Sequence, residues 1–158
     1  MPKSTSQRQD ASQARAADPR LTPRAPAFIL DANDLPSIQA RLQQLEWQVG
    51  GVRTAARIGH GNMNMTVRIQ SASFRSILKQ SRPWVVRYPH IPAPVERASV
   101  EACFYRTIST APHVAQRMPR LLGFDAESHL LRIEDMGDQG DLMDTIARES
   151  WRLRSARS

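Results

Sequence analysis

An alternation of apolar and polar residues over 63–70 constrains the fold of this chain more than any other feature of its sequence. The apolar positions are Met63, Met65, Val67 and Ile69, and the positions between them are polar. Successive side chains of a β-strand point to opposite faces of a sheet, so a period of two predicts a strand with one buried face. The chain is therefore expected to build a sheet with a core behind this strand.

Four further strands are predicted from the residues around it. Residues 52–58 are compatible with a strand that ends at Gly59-His60-Gly61, and residues 74–80 follow a turn-forming Ser-Ala-Ser sequence. Residues 120–124 and 129–133 predict a short hairpin. The segment 83–94 carries so many prolines that it is expected to be an irregular loop.

Two helices are predicted beside these strands. Asp34 is a good N-cap for the first, and Gly50-Gly51 is expected to stop it. One apolar face of this helix is marked by Ile38, Leu42, Leu45 and Val49. The second helix is expected to open at Pro94 or Val95, and its apolar positions are Val95, Ala98, Ala102, Tyr105 and Ile108.

The order of these elements predicts an α+β fold. We expect a twisted, mainly antiparallel five-stranded sheet with a packed helix, followed by the start of another helix at 141–148. Residues 1–27 contain almost no large apolar side chains and are predicted to form a disordered tail. The folded part is then expected to span 28–147, and a basic C-terminal tail to span 148–158.

The net charge of +7 raises the question of nucleic-acid binding. The excess lies in the two tails, because residues 28–147 contain thirteen Lys or Arg against twelve acids. A basic patch on the fold is therefore not indicated, and nucleic acid is an unlikely partner except through weak contacts of the tails. No segment has the length and apolarity of a membrane span, so we expect no membrane partner and a cytoplasmic location.

The chain has a single cysteine, Cys103, which excludes an internal disulfide and a cysteine-based metal cluster. Cys103 lies in an apolar stretch and is expected to be a packed thiol rather than a nucleophile.

The sequence contains twenty arginines but only two lysines, Lys3 and Lys79. Lys79 is therefore the only ammonium group of the expected fold, and a lysine is a compact point charge suited to phosphate. Before it comes a glycine-rich turn, Gly59-His60-Gly61-Asn62-Met63-Asn64, whose backbone is able to approach a polyanion closely. After it comes Glu101, a carboxylate able to hold the lysine in place. Glu101 also lies four residues after Arg97, and the two are expected to pair along one helix face.

These residues resemble the amino-terminal lobe of small-molecule kinases of the aminoglycoside-phosphotransferase and choline-kinase superfamily. Within it, the chain is most similar to methylthioribose-kinase-like proteins. The resemblance covers 52–147 and rests on the glycine turn, on Leu78-Lys79-Gln80-Ser81-Arg82-Pro83, on Glu96-Arg97-Ala98-Ser99-Val100-Glu101, on Pro119-Arg120-Leu121-Leu122 and on Ile133-Glu134-Asp135-Met136.

The resemblance implies a protein-kinase-like N-terminal lobe that binds ATP. The glycine turn, including His60, Asn62 and Asn64, would cover the phosphates, and Lys79 would contact the α- and β-phosphates. Glu101 would orient Lys79. The backbone of the linker Ile133 to Met136, which includes Glu134 and Asp135, would hydrogen-bond the adenine. These roles make a nucleotide the expected partner.

The chain departs from the family after the linker. Family members continue into a helical lobe with a His-x-Asp-x-x-x-x-Asn catalytic loop, whereas all four histidines here precede residue 134. Asp138, Asp141 and Asp144 follow the linker with a spacing that suits a helix start better than a magnesium site. We therefore expect little or no phosphotransfer from this chain alone, and Mg²⁺ only with a complete catalytic lobe. The acceptor substrate stays unknown.

Two other functions are compatible with the same sequence. One is a non-catalytic interaction module, since a lobe of this kind leaves an apolar face for self-association or for a partner lobe. The other is weak association with nucleic acid through the basic tails.

Overall fold

Seven strands and three helices follow one another in the computed structural model, which describes residues 28–47, 50–59, 61 and 63–137. The elements in chain order are α1 (Leu35–Gln44), β1 (Thr54–Arg57), β2 (Asn64–Gln70), β3 (Arg75–Ser81), β4 (Trp84–Val85), β5 (Tyr88–Pro92), α2 (Arg97–Ile108), α3 (Pro112–Ala115), β6 (Leu121–Asp125) and β7 (Leu130–Glu134). The predicted tails, the helix start at 141–148 and the acids Asp138, Asp141 and Asp144 lie outside the described residues.

A five-stranded sheet with the order β1-β2-β3-β7-β6 forms the centre of the structure. Every neighbouring pair of its strands is antiparallel. This confirms the coarse prediction of an α+β fold with a mainly antiparallel five-stranded sheet. The alternation predicted over 63–70 lies mostly in β2, where Met65, Val67 and Ile69 are buried.

The sheet separates two apolar cores. The larger one, which we call the α1-side core, packs α1 against one face of the sheet and contains Leu30, Ile38, Leu42, Val52, Met65, Val67, Ile69, Leu78 and Leu130. The smaller one, the α2-side core, packs α2 against the other face and contains Ile77, Ala98, Ala102, Leu131 and Ile133. Because both faces are covered, each strand of the sheet's centre places alternate side chains in different cores.

Helix α1 begins as predicted but ends early. The side chain of Asp34 accepts a hydrogen bond from the backbone amide of Ser37, which caps the helix. The predicted end at Gly50-Gly51 is wrong, because the last helical residue is Gln44. Glu46 adopts a positive φ of 52°, and the amide of Trp47 donates to the carbonyl of Leu42. This turn closes the helix and directs Trp47 onto the sheet.

The predicted irregular loop at 83–94 contains a two-stranded antiparallel hairpin of β4 and β5. Pro92 lies opposite Trp84 in this hairpin, and the amide of Ala93 donates to the carbonyl of Pro83. A two-stranded sheet consists of edges only, so prolines are tolerated where an inner strand would need their missing amide. The prediction of an irregular loop, which rested on the number of prolines alone, is therefore wrong.

Helix α2 buries Ala98 and Ala102 but exposes Cys103. The expectation of a packed thiol is wrong because each residue of a helix turns about 100° further around its axis. Cys103 directly follows the buried Ala102 and therefore points away from the sheet. Met63, which precedes β2, is also exposed rather than buried with the rest of the alternation.

Candidate functional site

The structure brings Lys79 and Glu101 together. Lys79 Nζ donates to Glu101 Oε1 over 2.7 Å, which joins the middle of β3 to α2. The side chains are 27% and 21% exposed, so the pair lies at the margin of the α2-side core and is open to solvent. This is the contact expected if a carboxylate on the helix positions the lysine.

The register of the sheet explains why Lys79 faces α2. Leu78 is buried in the α1-side core, and the next residue along a strand points to the opposite face. Lys79 lies between Thr66 of β2 and Leu131 of β7, and Leu131 packs in the α2-side core. The ammonium group therefore emerges beside an apolar surface that α2 partly covers.

The glycine turn connects β1 to β2 at the end of the sheet nearest Lys79. The amide of Ile58 donates to the carbonyl of Thr66, and Thr66 pairs with Lys79. Gly59 has a φ of +70°, a conformation that favours glycine. The turn thus starts one residue beyond the strand pair that flanks the lysine. His60 and Asn62, which were assigned to the same turn, lie outside the described residues.

Asn64 and Arg97 tie the start of β2 to the start of α2. Asn64 Oδ1 accepts hydrogen bonds from the Ser81 hydroxyl and from Arg97 Nη2, both over 3.2 Å. Arg97 also donates to the carbonyl oxygens of Met63 and Pro94. The expected pair of Arg97 with Glu101 is wrong, because these acceptors hold the guanidinium and Glu101 bonds to Lys79 instead. Asn64 is thus a structural contact of the turn.

Glu134 of the predicted linker is the last residue of β7. Its carboxylate accepts two hydrogen bonds from the Arg120 side chain, one from Nε and one from Nη2, each over 3.1 Å, and a third from the Arg120 amide over 3.3 Å. Hydrogen bonds from the Arg120 side chain and amide lower the pKa of Glu134 below its usual value. The amide of Glu134 also donates to the carbonyl of Arg120 over 2.9 Å. This residue is therefore engaged on both its side chain and its backbone.

Asp135 and Met136 point in different directions. The Asp135 carboxylate is 2% exposed and lies 2.9 Å from Arg68 Nε. It also accepts a hydrogen bond from the amide of Gly137 over 3.0 Å. Met136 is 47% exposed, and neither its backbone amide nor that of Asp135 donates a hydrogen bond to another group in the described part of the chain. Arg68 thus fixes the linker through the Asp135 carboxylate.

Lys79 and the linker lie at different positions along two neighbouring strands, β3 and β7. Glu134 pairs with Ser76, three residues before Lys79 in β3. A strand rises about 3.3 Å per residue, so the separation along the sheet is on the order of 10 Å. An extended nucleotide spans a comparable distance between its base and its phosphates.

Sequence reasoning gave no role to Gln80, which follows the lysine. Its fully buried side-chain amide donates to the carbonyls of Phe28 and Ser128 and accepts from the amide of Leu30, over 2.8–2.9 Å. Gln80 therefore anchors the segment before α1 and the β6–β7 turn to the strand that carries Lys79. The sequence did carry a signal for this role. Gln80 is a polar residue at a position of β3 whose side chain points into the α1-side core, like that of Leu78.

Comparison with protein-family models yields no match for this chain, and comparison with curated proteins yields none either. Within the described residues, no three His, Cys, Asp or Glu side chains form a group that could hold a metal ion. The helices described here are also too short or too polar to cross a membrane.

Proposed function

We propose that this chain is the ATP-binding half of a small-molecule phosphotransferase, with Lys79 as the residue that contacts the nucleotide phosphates. The observation that carries the proposal is the 2.7 Å contact between Lys79 Nζ and Glu101 Oε1. A lysine on a strand, held by a glutamate on the packed helix and placed beside a glycine turn, is the arrangement that kinases use to position phosphates.

The donor chemistry of Lys79 fits a phosphate ligand. An ammonium group carries three hydrogen-bond donors, and Glu101 is the single acceptor it bonds among the described residues. The side chain is 27% exposed, which leaves its other donors accessible to phosphate oxygens. Glu101 limits the rotation of the lysine side chain and so lowers the entropy that a bound phosphate would cost.

The linker supplies the other end of the proposed site. The carboxylates of Glu134 and Asp135 are held by Arg120 and Arg68, so the chain at 134–136 has a fixed course. The backbone amide of Met136, which donates to no other group among the described residues, is the group we assign to adenine. Ile77 lies on the same face of the sheet as Lys79, two residues before it, and is buried in the α2-side core.

These residues are assigned to nucleotide binding and not to a phosphoryl-transfer step. Phosphoryl transfer requires a positioned nucleophile and metal ligands in addition to a charge clamp. The groups described here provide the clamp alone. The acceptor substrate is consequently left open.

A docking surface for a second copy of this chain is the second candidate. Val100 and Phe104 lie one turn apart on α2 and are 69% and 49% exposed. They border an open groove of about 530 Å³ that Pro94 also lines. Sedimentation velocity over a range of protein concentrations tests this candidate: self-association that the Val100→Ser/Phe104→Ser variant abolishes would support it.

Titration calorimetry with ATP tests the leading proposal. We expect the wild-type chain to bind ATP and the Lys79→Met variant to bind it about tenfold more weakly or worse, since a charge-assisted hydrogen bond is lost. Lys3→Met is the matched control, because it removes the only other ammonium side chain of the sequence. Equal ATP affinity in all three proteins, or no ATP binding by the wild type, would overturn the proposal.

A further inference from the structure

A cavity of about 400 Å³ lies at the far end of α2 from the Lys79–Glu101 pair. Its walls come from the last turn of α2, from the segment around α3 and from the edge strand β6. This volume falls in the range of pockets that bind small molecules. The cavity is separate from the proposed nucleotide site, since Lys79, the glycine turn and the linker residues contribute nothing to its lining.

The lining is apolar in its body and cationic at its rim. The apolar part includes Ile108, Met118, Leu121, Leu122 and Phe124. Arg106 and Arg120 are the charged members, and no Asp or Glu is among the described residues that line it. A ligand that fills this cavity must therefore present apolar surface to the walls and negative charge to the rim.

The two arginines differ in how available they are. The Arg120 side chain binds the carboxylate of Glu134 through two hydrogen bonds. The guanidinium of Arg106 lies 5.7 Å from the centre of the Phe124 ring, and it has no carboxylate partner in the part of the chain that the structure describes. This contact with the ring leaves the hydrogen-bond donors of the guanidinium open. Arg106 is therefore the group suited to an incoming anion.

The geometry points to a binding site for a small amphipathic anion, an aromatic or branched apolar molecule with one carboxylate or sulfonate group. The apolar body packs between β6 and the end of α2, and the anionic group bonds to Arg106. This site does not depend on nucleotide binding.

Anilinonaphthalene sulfonate is a suitable probe because it combines an aromatic body with one anionic group. Its uncharged analogue N-phenylnaphthylamine lacks the anionic group and is the matched control ligand. Titration calorimetry on the full chain should show binding of both probes. Arg106→Gln should weaken binding of the sulfonate about tenfold, as expected for one lost charge-assisted hydrogen bond, and leave the uncharged analogue unchanged.

Variants of the chain itself provide the controls. Arg117→Gln removes an exposed arginine that lies near the cavity without lining it, and it should leave both affinities unchanged. Leu122→Ser should weaken both probes, since it removes apolar wall. If Arg106→Gln and Arg117→Gln changed the affinity for the sulfonate equally, Arg106 would not be the group that binds the anion. If Val100→Ser/Phe104→Ser abolished binding of both probes and Leu122→Ser left both affinities unchanged, the probes would bind in the groove beside Val100 and Phe104. That result would overturn the proposed site.

Discussion

Lys79 Nζ lies 2.7 Å from Glu101 Oε1, and this contact connects the middle of the sheet to α2. Both side chains are partly exposed, so solvent screens the pair and its contribution to stability is modest, about 1 kcal/mol or less. The pair therefore matters more for the direction of the ammonium group than for the stability of the fold.

Glu101→Gln is accordingly expected to lower the free energy of unfolding by no more than about 1 kcal/mol. Urea unfolding followed by circular dichroism measures this change. Glu96→Gln, an exposed position at the start of the same helix, serves as its control. A loss above about 3 kcal/mol, the size expected when a buried ion pair is broken, would contradict the interpretation.

The stability of the fold should fall in acid through Asp125. Burial by itself raises the pKa of this carboxyl, but hydrogen bonds from Ser128 and Arg41, with the charge of Arg41, outweigh burial and hold the pKa below its ordinary value. Arg41 Nη2 lies 2.6 Å from Asp125 Oδ2, which ties α1 to the β6–β7 turn.

A carboxyl whose pKa is lowered by folding stabilises the fold fully above its unfolded pKa, about 3.9, and loses that contribution as the pH falls through the folded pKa. Asp125→Asn should therefore lower the free energy of unfolding at neutral pH. It should also make the further decrease of that free energy below about pH 4 smaller than in the wild type. Urea unfolding as a function of pH tests this. Glu127→Gln, whose side chain is 72% exposed, should keep the wild-type pH profile; identical profiles for both variants would contradict the role of Asp125.

Gly123 is required by its contact with Trp47. A Cβ atom at this position would lie 2.5 Å from Trp47 Cε2 and 2.8 Å from two other atoms of the indole. Gly123→Ala should therefore cost about 1–3 kcal/mol, because the ring must leave its place on the α1-side core. At Gly51 nothing lies within 4 Å of the added atom, so Gly51→Ala should change the midpoint of thermal unfolding little. Similar losses at the two positions would show that the indole contact is unimportant.

Gln80 should be among the costliest polar positions to change. Gln80→Ala removes three hydrogen bonds and strands the amide of Leu30 and two carbonyls, for an expected loss of about 2–4 kcal/mol. Native-state hydrogen exchange should also show faster exchange at Leu30. Gln70→Ala, at the exposed end of the neighbouring strand, is the comparison. Unchanged exchange at Leu30 would contradict the anchoring role.

The sequence predicted the parts of the fold that depend on local period. The alternation over 63–70 identified β2, and Asp34 identified the start of α1, since both signals arise within a few residues. The proximity of Lys79 to Glu101 was anticipated from the order of the motifs. In the structure the two residues meet because Lys79 lies on the face of β3 that is turned towards α2.

The failures involve competition between distant groups. Arg97 was expected to bond Glu101 one turn away, but carbonyls before and after the strands hold it, and only the three-dimensional structure brings them near. Similarly, the sequence does not reveal that Arg68 of β2 binds Asp135 of the linker. Cys103 was misplaced because an apolar run on a helix contains both buried and exposed positions.

The coupling between Lys79 and Glu101 in nucleotide affinity is the decisive test of the proposed ATP site. ATP and adenosine are titrated into the wild type, Lys79→Met, Glu101→Gln and the double variant. If Glu101 acts by positioning Lys79 for phosphate, each single variant should weaken ATP binding, Lys79→Met by about tenfold, and the double variant should be no weaker than Lys79→Met. Adenosine, which lacks phosphates, should bind all four proteins equally. Unchanged ATP affinity in both single variants, or losses that simply add in the double variant, would contradict the account.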